Sequence, residues 1–595
     1  MNSQTRFAGK SKLTAATALA TTLLLGLGTP AQAQTQSAQP AQPTACPGDA
    51  GGITLPPGFC ASVFADKLGH VRQMAVAPDG VLYANTWSGR YYHNDTPPAG
   101  GFLIALQAAK GAGQADKTVR FGPTAADGDH GGTGIGIYKG YVYAETNDRI
   151  VRYKLPANGT APTTKPETIV SGMPVTGDHP MHPFGIDPKG DLYVDLGSAT
   201  NSCQSENRMP NVPGVTPCTE LLTRGGIWRY DANKLNQHFS PAERFATGLR
   251  NGESFSFDAA GRLIGTQHGR DQLWENFPKL YNQTEGQNEP AEELVHLQRG
   301  ADFGWPECYY DYDQKKLVLA PEYGGDGGKK LGVCAHKQEP IAAFPAHWAP
   351  NDMVIYLGNE FPTAYKGGAF IAFHGSWNRA PGPQGGYAIV FQPLANDKAA
   401  GPFMVFADGF AGPDKQPGRA LHRPTGLAVG PDGAMYISDD IGGRIWKVTY
   451  QGGNKAAKLA AAAAPSATLA AASANVPPPE GIHPDAGKPL PTPPGGSPDQ
   501  VTLGEQIFHG AHGGTCAGCH GTDAMGSEVG SNLADNKWSW GDGSVPAITR
   551  TIESGVPKPK DHTGAMPPMG GAQLSQADVA AVADYVWAIS HRDAH

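Results

Sequence analysis

Leu427-Ala-Val-Gly-Pro-Asp-Gly-Ala-Met-Tyr436 is an apolar run, a Pro-Asp-Gly break and a second apolar run. A short break rich in residues that tolerate positive φ, set between alternating apolar runs, marks a tight β-hairpin. The same pattern stands at Met74-Ala-Val-Ala-Pro-Asp-Gly-Val-Leu-Tyr83 and at Phe184-Gly-Ile-Asp-Pro-Lys-Gly-Asp-Leu-Tyr193. Looser copies run over Ile135–Tyr143 and Phe255–Ile264. Further strands follow at Arg149–Tyr153, Gly226–Tyr230 and Arg444–Val448. Repeated four-strand units predict a β-propeller, because one unit alone cannot bury both faces. Six blades over roughly 400 residues leaves about 65–70 each, longer than compact repeats, so the excess is loop and loops carry function. A two-sheet sandwich accommodates five related hairpins poorly.

Composition agrees. Gly 79 and Pro 52 make up about a fifth of the 595 residues, against a usual share of about 12%. That excludes a helical bundle. Lys+Arg 46 against Asp+Glu 54 gives a net charge of −8, leaving no basic excess to neutralise a phosphate backbone, so no nucleic-acid partner is expected. Arg6, Lys10 and Lys12, an apolar run to Leu27 and Ala31-Gln-Ala33 predict a signal peptide over 1–33, cleaved near Ala33. The mature chain is expected in the periplasm or secreted, with no stable membrane span. Six of the eight cysteines form sequence-local couples, Cys46/Cys60, Cys203/Cys218 and Cys308/Cys334. In an oxidising compartment each couple is expected to close as a disulfide.

The organisation is then a signal peptide over 1–33, a propeller over 34–450, an Ala/Pro-rich linker over 451–498 and a small all-α module over 499–595. A flexible tether of this length spreads about 35–45 Å end to end, using about 5–6 Å times the square root of length.

In the last module, Cys516-Ala-Gly-Cys519-His520 has the spacing that attaches one c-type haem, two thiols for its vinyl groups and an imidazole for its iron. The flanking helices resemble class I cytochrome c, with Gly504 and Phe508 on the first and Tyr585 on the last, which Ser575 caps. The resemblance implies a methionine as sixth ligand from Gly564-Ala-Met566-Pro-Pro-Met569. Met566 precedes Pro and is preferred; Met569 is the alternative, and Met525 is expected to pack.

The propeller resembles the pyrroloquinoline quinone (PQQ) dependent aldose dehydrogenases of the soluble glucose and sorbosone dehydrogenase type over roughly residues 55–450. The resemblance rests on His179-Pro-Met-His182-Pro-Phe-Gly-Ile-Asp187, Gly248-Leu-Arg250-Asn251, Gln267-His-Gly269-Arg270, Pro290-Ala-Glu-Glu293, His374-Gly-Ser-Trp-Asn-Arg379 and His422-Arg423-Pro424. It implies a general-base histidine eight residues before Asp187, which is His179. His182, where the family often has Arg, is the alternative. It implies that Arg250, Asn251, Arg379 and Arg423 contact the quinone, and that carbonyls of Gly269 and Arg270 hold Ca2+. Glu292 and Glu293 are expected either at a structural calcium site or as a surface pair. Guanidiniums suit a tricarboxylate because they grip carboxylates in pairs and keep their charge.

The expected activity is therefore oxidation of an aldose or related aldehyde by hydride transfer to PQQ. Electrons would pass to haem c and on to an acceptor such as another cytochrome or the respiratory chain. A calcium-dependent propeller lactonase fused to an electron carrier is the alternative enzyme class, and a binding module with an electron wire is the non-enzyme one.

Overall fold

The computed structural model describes residues 46, 50–87, 99–376, 378–379, 384–396, 398–413, 415, 420–461, 489–509, 511–514, 516–521, 524–526, 530–560 and 566–592. The leader expected over 1–33 and most of the linker, 462–488, lie outside the described residues.

Six sheets form the propeller, each with four antiparallel strands that run in sequence order from the axis outward in the first five; the second sheet gains a fifth strand, Gln237–His238, parallel to Glu167–Ser171. They cover 71–121, 135–171, 184–247, 255–344, 350–407 and 424–450. The sixth blade takes its outer strand from the other end of the domain: Phe59–Ala65 pairs antiparallel with Ile445–Tyr450. The first strand of every blade touches the first strands of both neighbours, and the contacts close into a ring. Phe59 anchors the closure, its ring 4.8 Å from Phe361 and 4.9 Å from both Phe406 and Tyr450.

The quoted hairpins are the first two strands of their blades, and the turn residues act as expected. Asp187 Oδ1 accepts the amides of Lys189, Gly190 and Asp191 at 2.9, 2.8 and 2.9 Å. Gly190, at φ +101°, takes the left-handed turn that side chains resist. The sixth hairpin, Pro350–Ile355 with Ala369–Phe373, has a long connection in place of Pro-Asp-Gly. The three expected cysteine couples are all disulfides.

The C-terminal module is helical. Pro498–Phe508 and Gln576–Ser590 cross at Gly504, where a Cβ would stand 1.9 Å from the Ala581 carbonyl oxygen. Only glycine permits that approach. Phe508 packs on Tyr585 at 5.2 Å, and Ser575 caps the last helix through a reciprocal pair with Asp578. A third helix, Val545–Ser554, was not anticipated from sequence; Ser544 caps it, and Ile548 and Ile552 are its buried face.

Candidate active site

Loops at one end of the ring gather around Asp271. Arg250 donates to Asp271 Oδ2 at 2.8 Å, to the Gly269 carbonyl at 2.9 Å and to the Asn201 carbonyl at 3.2 Å. The same Asp271 oxygen accepts Arg208 at 3.1 Å, while Arg208 Nε donates to Asp178 at 3.1 Å. Burial alone would raise the Asp271 carboxyl, yet Arg250 and Arg208 hold it well below the usual carboxylate range. Gln267 fixes the Arg250 amide and is itself held by Glu293 at 3.1 Å. Glu292 accepts the amides of Gly269 and Ala349 at 2.9 and 3.0 Å.

Two expectations are corrected here. Glu292 and Glu293 are not a surface pair: each is 3% exposed, and burial raises them to about 7 and about 8. They brace the 267–271 turn. The calcium expected on Gly269 and Arg270 does not fit that turn. The Gly269 carbonyl already accepts a guanidinium, and Arg270, tied to Glu322 and to the Asp271 carbonyl, brings a second positive charge. Among the described residues no three His, Cys, Asp or Glu side chains gather as a metal site.

The two candidate bases differ in what their nitrogens do. His179 Nδ1 lies 3.0 Å from the Ser198 carbonyl oxygen and 3.0 Å from its hydroxyl. The hydroxyl donates to Thr200 at 2.6 Å, so Nδ1 carries the proton and donates, which leaves the lone pair on Nε2. Burial first, then Arg250 and Arg208, hold this imidazole well below its ordinary pKa, so it is neutral. His182 Nε2 lies 2.9 Å from the Pro174 carbonyl, its Nδ1 faces Glu145 at 3.4 Å and its backbone amide donates to Glu145 at 2.7 Å. His182 is tied into the blade junction.

Asn251 donates to Glu253 at 3.0 Å, and its buried Oδ1 accepts no hydrogen bond among the described residues. It presses with His179 on Gly197, where a Cβ would meet both side chains at 2.9 and 2.5 Å. Arg423 donates to the carbonyls of His374 and Gly375, with its guanidinium 5.8 Å from the Tyr387 ring centre. His374 bonds Asp440 at 2.8 Å, and burial, then Arg423, lowers it to about 4. Arg379 donates to the carbonyls of Gln287 and Ala346 at 2.7 and 3.3 Å and to Asn288 at 3.0 Å. Its neighbour Asn378 donates to Asp271, which joins this loop to the centre.

Arg250, Arg379 and Arg423 thus come from three blades to one end of the ring. The guanidinium bonds of Arg423 go to neutral carbonyl oxygens, so its charge suits an anionic ligand, and the three guanidiniums fit a tricarboxylate. Sequence reasoning missed Asp271, Arg208, Asp178 and Asn201. Asp271 directly follows the turn already singled out, which was the available signal; the other three sit on aperiodic loops.

In the helical module, a crevice opens to solvent, lined by Cys516, Cys519, His520, Met566 and apolar side chains such as Ile548 and Val586. His520 Nδ1 donates to the Ser531 carbonyl at 2.8 Å, which turns Nε2 towards the crevice. Met566 is held there by a two-way backbone pairing with Val556 at 2.7 and 2.9 Å. Met525, Met566 and Met569 all pack against the helical core, and of the three Met566 lines the crevice. Two thiols, a fixed imidazole and a thioether around an apolar crevice fit a c-type haem.

Residues 53–451 match the family model described as TrAA12-like, and residues 499–586 match cytochrome c oxidase, cbb3-type, subunit III. A pyrroloquinoline quinone-dependent pyranose dehydrogenase of Coprinopsis cinerea is 27% identical over 274 residues, 39% of this chain and 35% of that protein. A Borreliella burgdorferi protein is 27% identical over 227 residues, 36% of this chain. The chain therefore spans about a third of the Coprinopsis protein's length and about half of the Borreliella protein's. The cbb3-type oxidase subunit CcoP of Rubrivivax gelatinosus is 40% identical over 93 residues, 16% of this chain and 27% of that protein. The calcium structure of the Trichoderma reesei family AA12 enzyme shares the propeller fold at TM-score 0.53, with 20% identity over 69% of this chain and 99% of that one. The six-bladed ring, its guanidinium-lined end and the family match over two thirds of the length lead to one conclusion: the chain belongs to the TrAA12-like, PQQ-dependent sugar dehydrogenase-like propeller family and carries a cbb3-type cytochrome c domain at its C-terminus.

Proposed function

We propose that this chain is an exported quinohaemoprotein that oxidises an aldose or related aldehyde at the Asp271 centre. The carrying observation is a buried, neutral His179 whose Nε2 keeps its lone pair beside Arg250. When bound, PQQ would supply a two-electron hydride acceptor and haem c a one-electron acceptor that suits a downstream partner such as another cytochrome.

The chain's own residues do the following. Arg250, Arg379 and Arg423 hold carboxylates. His179 Nε2 takes the anomeric hydroxyl proton as the C1 hydride departs, and the carbonyl of Ser198 steadies the imidazolium that forms. Asn251 Oδ1 offers an acceptor to a substrate hydroxyl. Cys516 and Cys519 would attach the haem, and His520 and Met566 would hold its iron. Met/His ligation raises the iron's potential, which suits accepting electrons from an organic donor. The three disulfides support an oxidising compartment, and among the described residues no helix is long and apolar enough to cross a membrane.

The test is purified chain with and without added PQQ, offered a panel of aldoses with a soluble dye as acceptor. Dye reduction that requires PQQ is expected. Lactone hydrolysis with no dye reduction would assign the protein to the hydrolases instead.

A further inference from the structure

The chain around Met566 has two faces. Pro567 and Gly570 line the haem crevice beside Met566. Gly571, the next residue, faces the propeller: a Cβ there would lie 3.6 Å from Glu275 Cβ, an ordinary van der Waals contact. Met569, Gly570 and Gly571 are all left-handed, at φ +57°, +66° and +88°, so the chain reverses there and brings bare backbone against its neighbour. Glu275 stands on the short helix Leu273–Asn276. That helix is a firm footing. Leu273 is fully buried, and the Asn276 carbonyl accepts the Asn211 amide at 2.8 Å. Gln272, just before it, accepts Arg208 at 3.1 Å, and Arg208 also bonds Asp271 at 3.1 Å. The helix therefore starts at the active centre itself.

We propose that the turn Pro568–Gly571 docks the haem module on the helix Leu273–Asn276, so that the crevice takes up electrons through its methionine wall. This rests on the reading that the haem receives the propeller's electrons. Two short links carry it. On one side of the contact, Gly571 adjoins Gly570 of the crevice wall. On the other, Glu275 lies four residues beyond Asp271. Backbone meets the stem of a half-buried side chain at this point, so the fit depends on what stands at 275 and 571.

The test is a cross-link in the full-length, haem-loaded chain. Glu275→Cys with Gly571→Cys sets two Cβ atoms 3.6 Å apart, within the separation of about 3.5–4.5 Å that a disulfide requires. Peptide mapping without reductant should find the two introduced thiols joined in most chains. With PQQ loaded and an aldose added, the linked chain should reduce its haem without mediator at least as fast as the parent. Should the left-handed position at Gly571 reject a side chain, Glu275→Trp alone serves, because its ring begins one bond beyond the contacting Cβ. It should raise hydrogen exchange over 568–572 and leave dye-coupled sugar oxidation unchanged. Mediator-free haem reduction should slow by about tenfold or more, since an undocked module has to find its site by tethered diffusion. No cross-link in a folded chain, a linked chain whose haem stays oxidised while dye is reduced, or Glu275→Trp with exchange and haem reduction both unchanged would overturn the inference. A cross-link formed without any sugar oxidation would support the dock and count only against the catalytic reading.

Discussion

The propeller centre and the haem crevice prepare their imidazoles in the same way and then surround them differently. His179 and His520 each direct Nδ1 to a backbone carbonyl, of Ser198 at 3.0 Å and of Ser531 at 2.8 Å. A carbonyl only accepts, so both rings are set as Nδ1–H tautomers with Nε2 as the working atom. Burial first, and then Arg250 and Arg208, oppose a positive charge on His179 and keep the ring neutral. Around His520 stands an apolar crevice with a methionine. On the proposed reading, one tautomer device would serve a base in one place and an iron ligand in the other, with the surroundings deciding which.

That contrast breaks most sharply at the rings themselves. His179→Gln should cut sugar oxidation by about 10²–10⁴-fold, the usual worth of a positioned base, while the haem spectrum stays unchanged. His182→Gln should have a far smaller effect on turnover, since its ring is committed to Pro174 and Glu145. Steady-state kinetics alongside visible spectra read both. In the crevice, Met566→Ala should abolish the thioether-to-iron absorption at the red end of the spectrum, and Met569→Ala should leave it in place.

The charge network gives the next effect. Asp271→Ala leaves Arg250 and Arg208 without their shared carboxylate and should cost about 3–5 kcal/mol of propeller stability, the range for breaking a buried pair. Denaturant unfolding measures it, and a loss under about 1 kcal/mol would mean the two guanidiniums find other partners.

A smaller effect separates the two modules by pH. Glu292 and Glu293 have folded pKa values raised to about 7 and about 8, above the unfolded value of about 4.3. Their folded state binds more protons, so their contribution is fully present below the unfolded value and is lost as pH rises through 7 to 8. The propeller's melting temperature should fall between pH 5 and 8, and Glu293→Gln should flatten that fall. In the cytochrome module, the carboxyls of Asp542 and Asp578 are lowered by hydrogen bonds, so these two lose their contribution only on acidification.

Legibility followed the same division between periodic and aperiodic chain. Five hairpins were readable because alternation and a Pro-Asp-Gly-type break are local signals. The sixth was not, because its strands are separated by the long segment 356–368. Ring closure by Phe59–Ala65 was equally silent, since its partner lies at the far end of the domain. In the site, Arg250 and Asn251 stood out as an adjacent pair, whereas Arg208 and Asp178 lie on loops whose meeting depends on the whole ring and on the Cys203–Cys218 disulfide nearby. The haem turn was fully visible because its chemistry needs five consecutive residues. The helix Val545–Ser554 was hidden among glycine- and tryptophan-rich chain, with only Ser544 and the Ile548/Ile552 spacing to mark it.

The most direct test of the whole account is stopped-flow observation of the haem in PQQ-loaded chain mixed with an aldose, without mediator, at several protein concentrations. Haem reduction with a rate constant independent of protein concentration is expected, because donor and acceptor share one chain. No haem reduction despite dye-coupled sugar oxidation, or a rate that scales with protein concentration, would contradict it.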